Sequence, residues 1–335
     1  MNCRKLLLWT TGIGLALSFL AGCRPSTPIP TQILPTATPL PPTATPMLPT
    51  LTPLSQVEAT GTPTTPPLPS QEEQASAFDV QAAEYMARTQ WNEALAAITQ
   101  AIELDPTNPK YYLRRSFIYD AGLGKLGEAL ADATKVVELA PTLYEAWTNR
   151  GAVYFHSDQC DLAIADANQA ILLDPNRFDG YVHRADMLRC LGRLDEAIAD
   201  YGRGIAIDPT SAWAYWNRGK LYEANGDPNA ALADYSQAIA LLPDDEWASG
   251  DFFSNRAGLY RTLGPHEQAL ADCAAMLALV ADDPRGFYCR GLSELALGQT
   301  DQARADFEQA VSLLPFKTYD AWVTAAAQAE LDKLP

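Results

Sequence analysis

The chain has 335 residues, a formal net charge of −17 and only three histidines. A negative charge of this size argues against nucleic acid or an anionic lipid surface as the main ligand, because both require a basic surface. His156, His183 and His266 have no Cys, His or Glu partner at metal-ligand spacing, and the sequence contains no glycine-rich phosphate loop and no nucleophile elbow. The sequence therefore predicts no cofactor and no enzymatic activity.

The first residues have the pattern of an export signal. Arg4 and Lys5 precede an apolar run from Leu6 to Leu20, which is too short for a comfortable membrane span. The segment Leu20-Ala21-Gly22-Cys23 resembles the lipobox of bacterial lipoproteins. That resemblance implies a signal peptide over residues 1–22, cleavage before Cys23, and acylation that ties the chain to a membrane. A plain signal peptide followed by a chance cysteine is the alternative.

Residues 23–70 are rich in proline and threonine. Pro-Thr-Ala-Thr-Pro occurs at residues 35–39, a close copy follows at 42–46, and Glu58 is almost the only charged residue of the segment. Such a composition cannot bury enough apolar surface to offset the entropy lost on ordering. We therefore expect a disordered linker that separates the membrane anchor from a folded domain over residues 71–335.

The rest of the chain repeats one two-helix unit. The stretch Ala214–Pro243 predicts two amphipathic helices joined by a turn at Asn225-Gly226 and closed by a proline. The motif Ala-(Leu/Ile)-Ala-Asp of its second helix recurs along the sequence. The closing prolines Pro141, Pro175, Pro209 and Pro243 are 34 residues apart, a period typical of stacked helix hairpins.

These units resemble tetratricopeptide repeats. In copies that cover residues 75–108, 109–143, 144–177, 178–211, 212–245, 250–283 and 284–317, position 4 is always aromatic: Phe78, Tyr112, Trp147, Tyr181, Tyr215, Phe253 and Phe287. Position 20 is always alanine: Ala94, Ala129, Ala163, Ala197, Ala231, Ala269 and Ala303. The resemblance implies an all-α, right-handed α-solenoid of seven helix hairpins. We expect a C-terminal helix over Tyr319–Leu334 to cap the stack.

Two insertions interrupt the period. The second copy carries one extra residue around Gly122, and four residues, 246–249, separate the fifth copy from the sixth. For the second insertion we expect an extended first helix or a local kink. The first copy lacks two recurring charges, since Gln81 and Ala97 stand where other copies carry Arg and Asp.

Charges recur at the repeat period as well. An arginine of each first helix and an aspartate of each second helix return in the later copies, and periodic charge is structural before it is catalytic. We predict a ladder in which each first-helix arginine meets the second-helix aspartate of its own or an adjacent repeat. Arg218 and Asp234 are an example of such a pair.

Four cysteines fall within the repeats, as two candidate disulfide pairs that bridge adjacent copies. They are Cys160 with Cys190 and Cys273 with Cys289. An even number of cysteines in an exported domain favours disulfides. Four buried thiols that act as small apolar residues are the alternative.

The resemblance also implies where a partner binds. In tetratricopeptide proteins the first helices line a concave groove, and repeat position 6 gives a polar row here: Arg114, Asn149, His183, Asn217 and Asn255, continuing to Cys289. Family precedent for an asparagine row is hydrogen bonding to the backbone of an extended peptide, and Arg114, His183 and Cys289 interrupt that row. Beside it we place the aromatic residues Trp213, Trp216 and Tyr288 and the basic residues Lys220 and Arg261.

These observations predict a protein-interaction scaffold or adaptor in the cell envelope. It would be lipid-anchored on the extracytoplasmic side of a bacterial membrane, and would hold a protein or peptide segment of an envelope complex in its groove. A lipoprotein that binds cell-wall glycan or a small ligand through Trp213, Trp216 and Tyr288 is the alternative.

Overall fold

The computed structural model describes residues 69–242, 246–313 and 321–335, without the side chains of residues 246–249 and 321. The predicted signal peptide, Cys23 and nearly all of the proline-rich linker lie outside the described residues. Their boundaries stay predictions.

Fifteen α-helices make up the described part of the chain, which contains no β-strand. The first helices of the hairpins are α1 (Gln71–Ala87), α3 (Pro109–Phe117), α5 (Tyr144–His156), α7 (Phe178–Cys190), α9 (Ala212–Ala224), α11 (Glu246–Leu263) and α13 (Pro284–Ala296). The second helices are α2 (Trp91–Leu104), α4 (Leu126–Leu139), α6 (Cys160–Leu173), α8 (Leu194–Ile207), α10 (Pro228–Ala240), α12 (His266–Leu279) and α14 (Thr300–Ser312), and α15 (Ala321–Leu331) follows them. Seven hairpins and a final helix confirm the predicted fold class.

The hairpins stack in chain order. Each helix packs against the next one, and first helices also contact each other across the stack, as α3 does with α5 and α11 with α13. In a curved stack the inner elements come closest together. The first helices therefore lie together on one side of the stack, which the tetratricopeptide resemblance predicts to be the concave side. Apolar clusters between neighbouring hairpins form a core that runs along the whole stack.

Small residues let the paired helices approach closely. The alanine at position 20 is fully buried in every repeat. Gly219 occupies position 8 of the fifth repeat, where an added Cβ would lie 2.7 Å from the ring of Tyr235. Gly291 stands in the same relation to Phe307 in the seventh repeat. The glycine thus makes room for a buried aromatic ring at position 24.

The turn inside each hairpin requires a left-handed backbone. Gly192 and Gly226 have φ values of 70° and 81° there, a conformation that glycine adopts without steric cost. The first and third repeats place Thr89 and Asp158 at the same point, with φ values of 56° and 59°. The turn geometry is therefore kept even where the favourable residue is absent.

The two insertions are absorbed differently. The extra residue of the second repeat makes a π-helical turn over Ile118–Gly122, in which the amide of Leu123 donates to the carbonyl of Ile118. The insertion before the sixth repeat lengthens α11 to 18 residues. The extended first helix that we expected is thus observed, and the regular stacking of hairpins resumes after both insertions.

Six arginine–aspartate pairs cross the hairpins, each within one repeat. They are Arg115–Asp132, Arg150–Asp166, Arg184–Asp200, Arg218–Asp234, Arg256–Asp272 and Arg290–Asp306. Every pair is bidentate, with N–O distances from 2.6 to 2.9 Å, and every aspartate is buried. Arg184 also donates to Asn168, and Arg256 to Ser236, in the preceding repeat. The pairs therefore connect the two helices of a hairpin and, at these two positions, neighbouring hairpins.

Both ends of the stack are finished by local interactions. At the start, Ser70 and Glu73 form a capping box in which each side chain accepts a hydrogen bond from the backbone of the other. At the other end, α15 packs against α13 and α14. Its bounds, Ala321–Leu331, lie within the capping helix predicted over Tyr319–Leu334. None of the helices described is long and apolar enough to span a membrane.

Candidate partner-binding groove

In the N-terminal repeats, charged and polar side chains of the first helices pair with one another. Arg114 forms a bidentate ion pair with the buried carboxylate of Asp79, and Lys110 lies 2.8 Å from the same carboxylate. His156 contacts Asp120 at 2.7 Å. Arg114, which the sequence predicts to face a ligand, is thus paired with a carboxylate of the neighbouring first repeat.

The third and fourth repeats continue this pairing at their junction. Arg177 joins Glu145 on α5 to Asp179 on α7, and its guanidinium lies 3.9 Å from the centre of the Tyr144 ring. Burial raises the pKa of the Tyr144 hydroxyl far above its ordinary value. Arg177 thus forms ion pairs with two carboxylates and also lies over one aromatic ring.

The predicted polar row is not uniform in its exposure. Asn149 is buried, and its Oδ1 has no hydrogen-bond partner among the described residues. Asn255 accepts a 2.8 Å hydrogen bond from the indole of Trp216, and Cys289 is buried. His183 and Asn217 are half-buried, so within this row they present accessible polar surface. Hydrogen bonding to a peptide by this row stays a prediction.

Trp213 and Trp216 form an aromatic cluster at the joint between the fifth and sixth repeats. Their rings meet edge to face at 5.2 Å, and both pack against Phe252, which is fully buried on α11. Both tryptophans are half-buried. They therefore stabilise the joint while presenting part of each ring to the groove.

Lys220 lies directly above this cluster. Its ammonium is 3.5 Å from the centre of the Trp216 ring, which is an attractive cation–π distance. Burial and, to a smaller extent, the nearby charge of Arg189 lower the pKa of Lys220 to about 8. Asp186 and Asp251 act in the opposite direction. Lys220 is consequently a cation held in a poorly solvated site.

Arg261 occupies a similar position on the next first helix. Its guanidinium contacts Sγ of Cys289 at 3.8 Å and lies near the hydroxyl of Tyr288. Burial lowers the pKa of Arg261. Tyr288 in turn packs against Phe307 and against Trp322 of α15, at centroid distances of 6.0 and 6.1 Å.

The cysteines meet in the two predicted pairs. The structure joins Cys160 to Cys190 and Cys273 to Cys289, with Cα–Cα distances of 6.7 and 5.5 Å. Both distances lie within the range that a disulfide spans. One bond crosses the joint between the third and fourth repeats, and the other crosses the joint between the sixth and seventh. Among the residues with described structure, no group of three His, Cys, Asp or Glu side chains could hold a metal ion.

Comparison with known families identifies the repeated unit. Models of the tetratricopeptide repeat match residues 144–177, 185–226 and 212–245. The chain contains tetratricopeptide repeats. No curated protein sequence matches the chain.

Solved tetratricopeptide structures share the fold. A tetratricopeptide repeat protein from Parabacteroides merdae covers 76% of this chain and 99% of its own length, at 19% identity and a TM-score of 0.55. Pseudomonas aeruginosa PilF covers 64% of this chain and 96% of its own length, at 11% identity and a TM-score of 0.54. A chain of the APC/C hetero-tetramer Cut9–Hcn1 covers 75% of this chain and 48% of its own length, at 16% identity and a TM-score of 0.54. At these identities the likeness establishes the fold alone.

The tetratricopeptide register also reveals an aromatic residue that sequence reasoning missed. Trp322 lies 34 residues after Tyr288, so α15 corresponds to the first helix of an eighth, incomplete repeat. Its side chain is 59% exposed beside the Tyr288 ring. The 34-residue spacing from Tyr288 to Trp322 is the signal in the sequence that marks this residue. Trp216, Tyr288 and Trp322 all occupy position 5 of their repeats.

Proposed function

We propose that this protein is a scaffold that holds a polypeptide segment of a partner in the concave groove of its tetratricopeptide solenoid. The observation that carries the proposal is the stacking of seven tetratricopeptide hairpins in series, which places the first helices side by side on one continuous face. That face presents accessible polar, basic and aromatic side chains, a mixture suited to binding a peptide.

A pair of photo-crosslinking positions tests this proposal. The first is Asn217, which is half-buried on α9 in the groove, and the second is Gln169, which is exposed on the second helix α6. With p-benzoylphenylalanine at each position, we expect the variant at Asn217 to crosslink to a discrete polypeptide in cells. The variant at Gln169 should not do so. Equal capture from both positions, or no capture from Asn217, would contradict the proposal. Circular dichroism of both variants checks that each is folded.

We further propose that the scaffold is exported and lipid-anchored through Cys23, with a partner that belongs to an envelope complex. The support is the sequence alone: a basic start, a short apolar run and the lipobox-like segment before Cys23. Two or three acyl groups on Cys23 would hold the protein at the membrane firmly, whereas a single acyl group holds a protein there only marginally. Membrane fractionation of Cys23→Ala tests the anchor.

A further inference from the structure

Two cations of the proposed groove, Lys220 and Arg261, differ from the other groove cations in how they are paired. In the first three repeats and at their junction with the fourth, Lys110, Arg114 and Arg177 each lie within ion-pair distance of a carboxylate. In the fifth and sixth repeats, Lys220 and Arg261 have no carboxylate of the described residues within that distance. The difference is notable because the chain as a whole carries a net charge of −17.

The carboxylates nearest to Lys220 are committed to other donors. Asp186 accepts a 2.8 Å hydrogen bond from the buried hydroxyl of Tyr201 and also contacts Arg189. Asp251 lies 2.7 Å from Arg285. Among the described residues, the Lys220 ammonium is therefore in direct contact with an uncharged ring, that of Trp216, and a cation–π contact is weaker than an ion pair in a desolvated site.

Arg261 is in the same situation on the neighbouring first helix. It contacts the Cys289 sulfur and lies near the hydroxyl of Tyr288, neither of which carries a negative charge at neutral pH. A half-buried cation without a counter-charge costs free energy, and an anion supplied by a ligand recovers it.

We propose that Lys220 and Arg261 bind two carboxylates of an acidic peptide segment. This inference rests on the proposed function and assigns the chemistry of the partner. Neighbouring packed helices are about 10 Å apart, so an extended peptide that crosses α9 and α11 places the two carboxylates roughly three residues apart. The groove cations of the repeats before α7 are already paired with carboxylates. These repeats therefore contribute little to the preference for an acidic over a neutral peptide.

The aromatic residues beside these cations indicate which kind of residue flanks the two carboxylates in the bound peptide. Trp216 underlies Lys220, while Tyr288 and Trp322 lie next to Arg261 and beyond it. Trp322 is the most exposed of the large apolar side chains at this end of the groove. An apolar residue next to the second carboxylate therefore matches the surface that it meets.

Labelled peptides of defined charge test the inference. The probe is fluorescein-labelled Phe-Glu-Ala-Ala-Glu-Phe, and its matched control carries glutamine in place of both glutamates. Fluorescence anisotropy should show about tenfold or greater preference for the acidic peptide at pH 7. Peptides with the two glutamates adjacent or six residues apart should bind more weakly than the probe.

Variants of the protein connect this preference to the two cations. Lys220→Met with Arg261→Met keeps most of the packing of both side chains and should abolish the preference. Lys125→Met removes an exposed cation from the turn before α4 and should leave the preference unchanged. Circular dichroism spectra of both variants should overlay with that of the unmodified protein.

The pH profile gives a second readout. As pH rises from 7 to 9.5, Lys220 loses its proton within a setting formed by Arg189, Asp186, Asp251 and Trp216, so the preference should decline. In Lys220→Arg the cation persists at high pH, and the preference should persist with it.

The outcomes separate this inference from the proposed function. Equal binding of the acidic and neutral peptides, with capture at Asn217 retained, would overturn the charge assignment and leave the scaffold intact. Tighter binding of an acidic polysaccharide such as polygalacturonate than of the acidic peptide would overturn it as well. Absence of any peptide binding, together with no capture at Asn217, would remove both.

Discussion

Glu294 is a charged residue at a repeat position that is otherwise aromatic or apolar. It occupies position 11, where five other repeats carry tyrosine and the fourth carries Leu188. Glu294 is buried, and its Oε2 has no hydrogen-bond partner in the part of the chain that the structure describes. Burial, with the nearby charge of Asp306, raises the pKa of Glu294 to about 7. The carboxyl is thus close to half-protonated at neutral pH.

This pKa predicts how stability changes with pH. A carboxyl whose folded-state pKa is raised stabilises the fold while it is protonated, and that contribution is lost as pH rises through about 7. We expect Glu294→Gln to melt about 2–4 °C higher than the unmodified protein at pH 8 and at nearly the same temperature at pH 5. Glu308→Gln, an exposed change on α14, should have no effect. Identical pH profiles for the unmodified protein and Glu294→Gln would contradict the assignment.

At the scale of the element, the hairpin is held by its arginine–aspartate pair as well as by its core. Arg218 donates two hydrogen bonds of 2.8 Å to Asp234, and its guanidinium also lies over the rings of Tyr215 and Tyr222. Because the aspartate is buried, loss of one member leaves the other as an uncompensated charge.

We expect Asp234→Ala to cost roughly 3 kcal/mol of unfolding free energy, and the double variant Arg218→Ala with Asp234→Ala to cost less than the two single changes together. Gln237→Ala, at an exposed position on the same helix, is the control. Urea unfolding followed by circular dichroism measures all four. Single variants within about 0.5 kcal/mol of the unmodified protein would show that the pair lies too close to water to matter.

The sequence predicted these elements better than it predicted their surfaces. The recurrence of arginine and aspartate at one period predicted the ladder, but it left open whether each pair stays within its repeat, because either arrangement joins a first helix to a second. The asparagine row was visible as a pattern, yet Asn149 is buried and Asn255 is occupied by Trp216. Exposure at such positions depends on the size of neighbouring side chains from other repeats, which a single repeat does not reveal.

At the scale of the whole molecule, the predicted anchor sets where the groove can work. Cys23→Ala should move the protein from the membrane fraction to the soluble fraction, because the acyl chains would be its attachment. Cys3→Ala, within the predicted signal peptide, is the matched control and should leave fractionation unchanged. Retention of Cys23→Ala in the membrane after a carbonate wash would show that another feature attaches the chain.

The two disulfides have a mechanical consequence for the entire ribbon. One pins the joint of the third and fourth repeats, the other pins the joint of the sixth and seventh, and the joint that carries Lys220 and Arg261 lies between them without a covalent tie. The two pinned joints are therefore stiffer than the joints between the fourth and sixth repeats, and we expect the stack to bend more readily at the latter. A bound segment would then tighten or relax the curvature at the joint where its carboxylates bind.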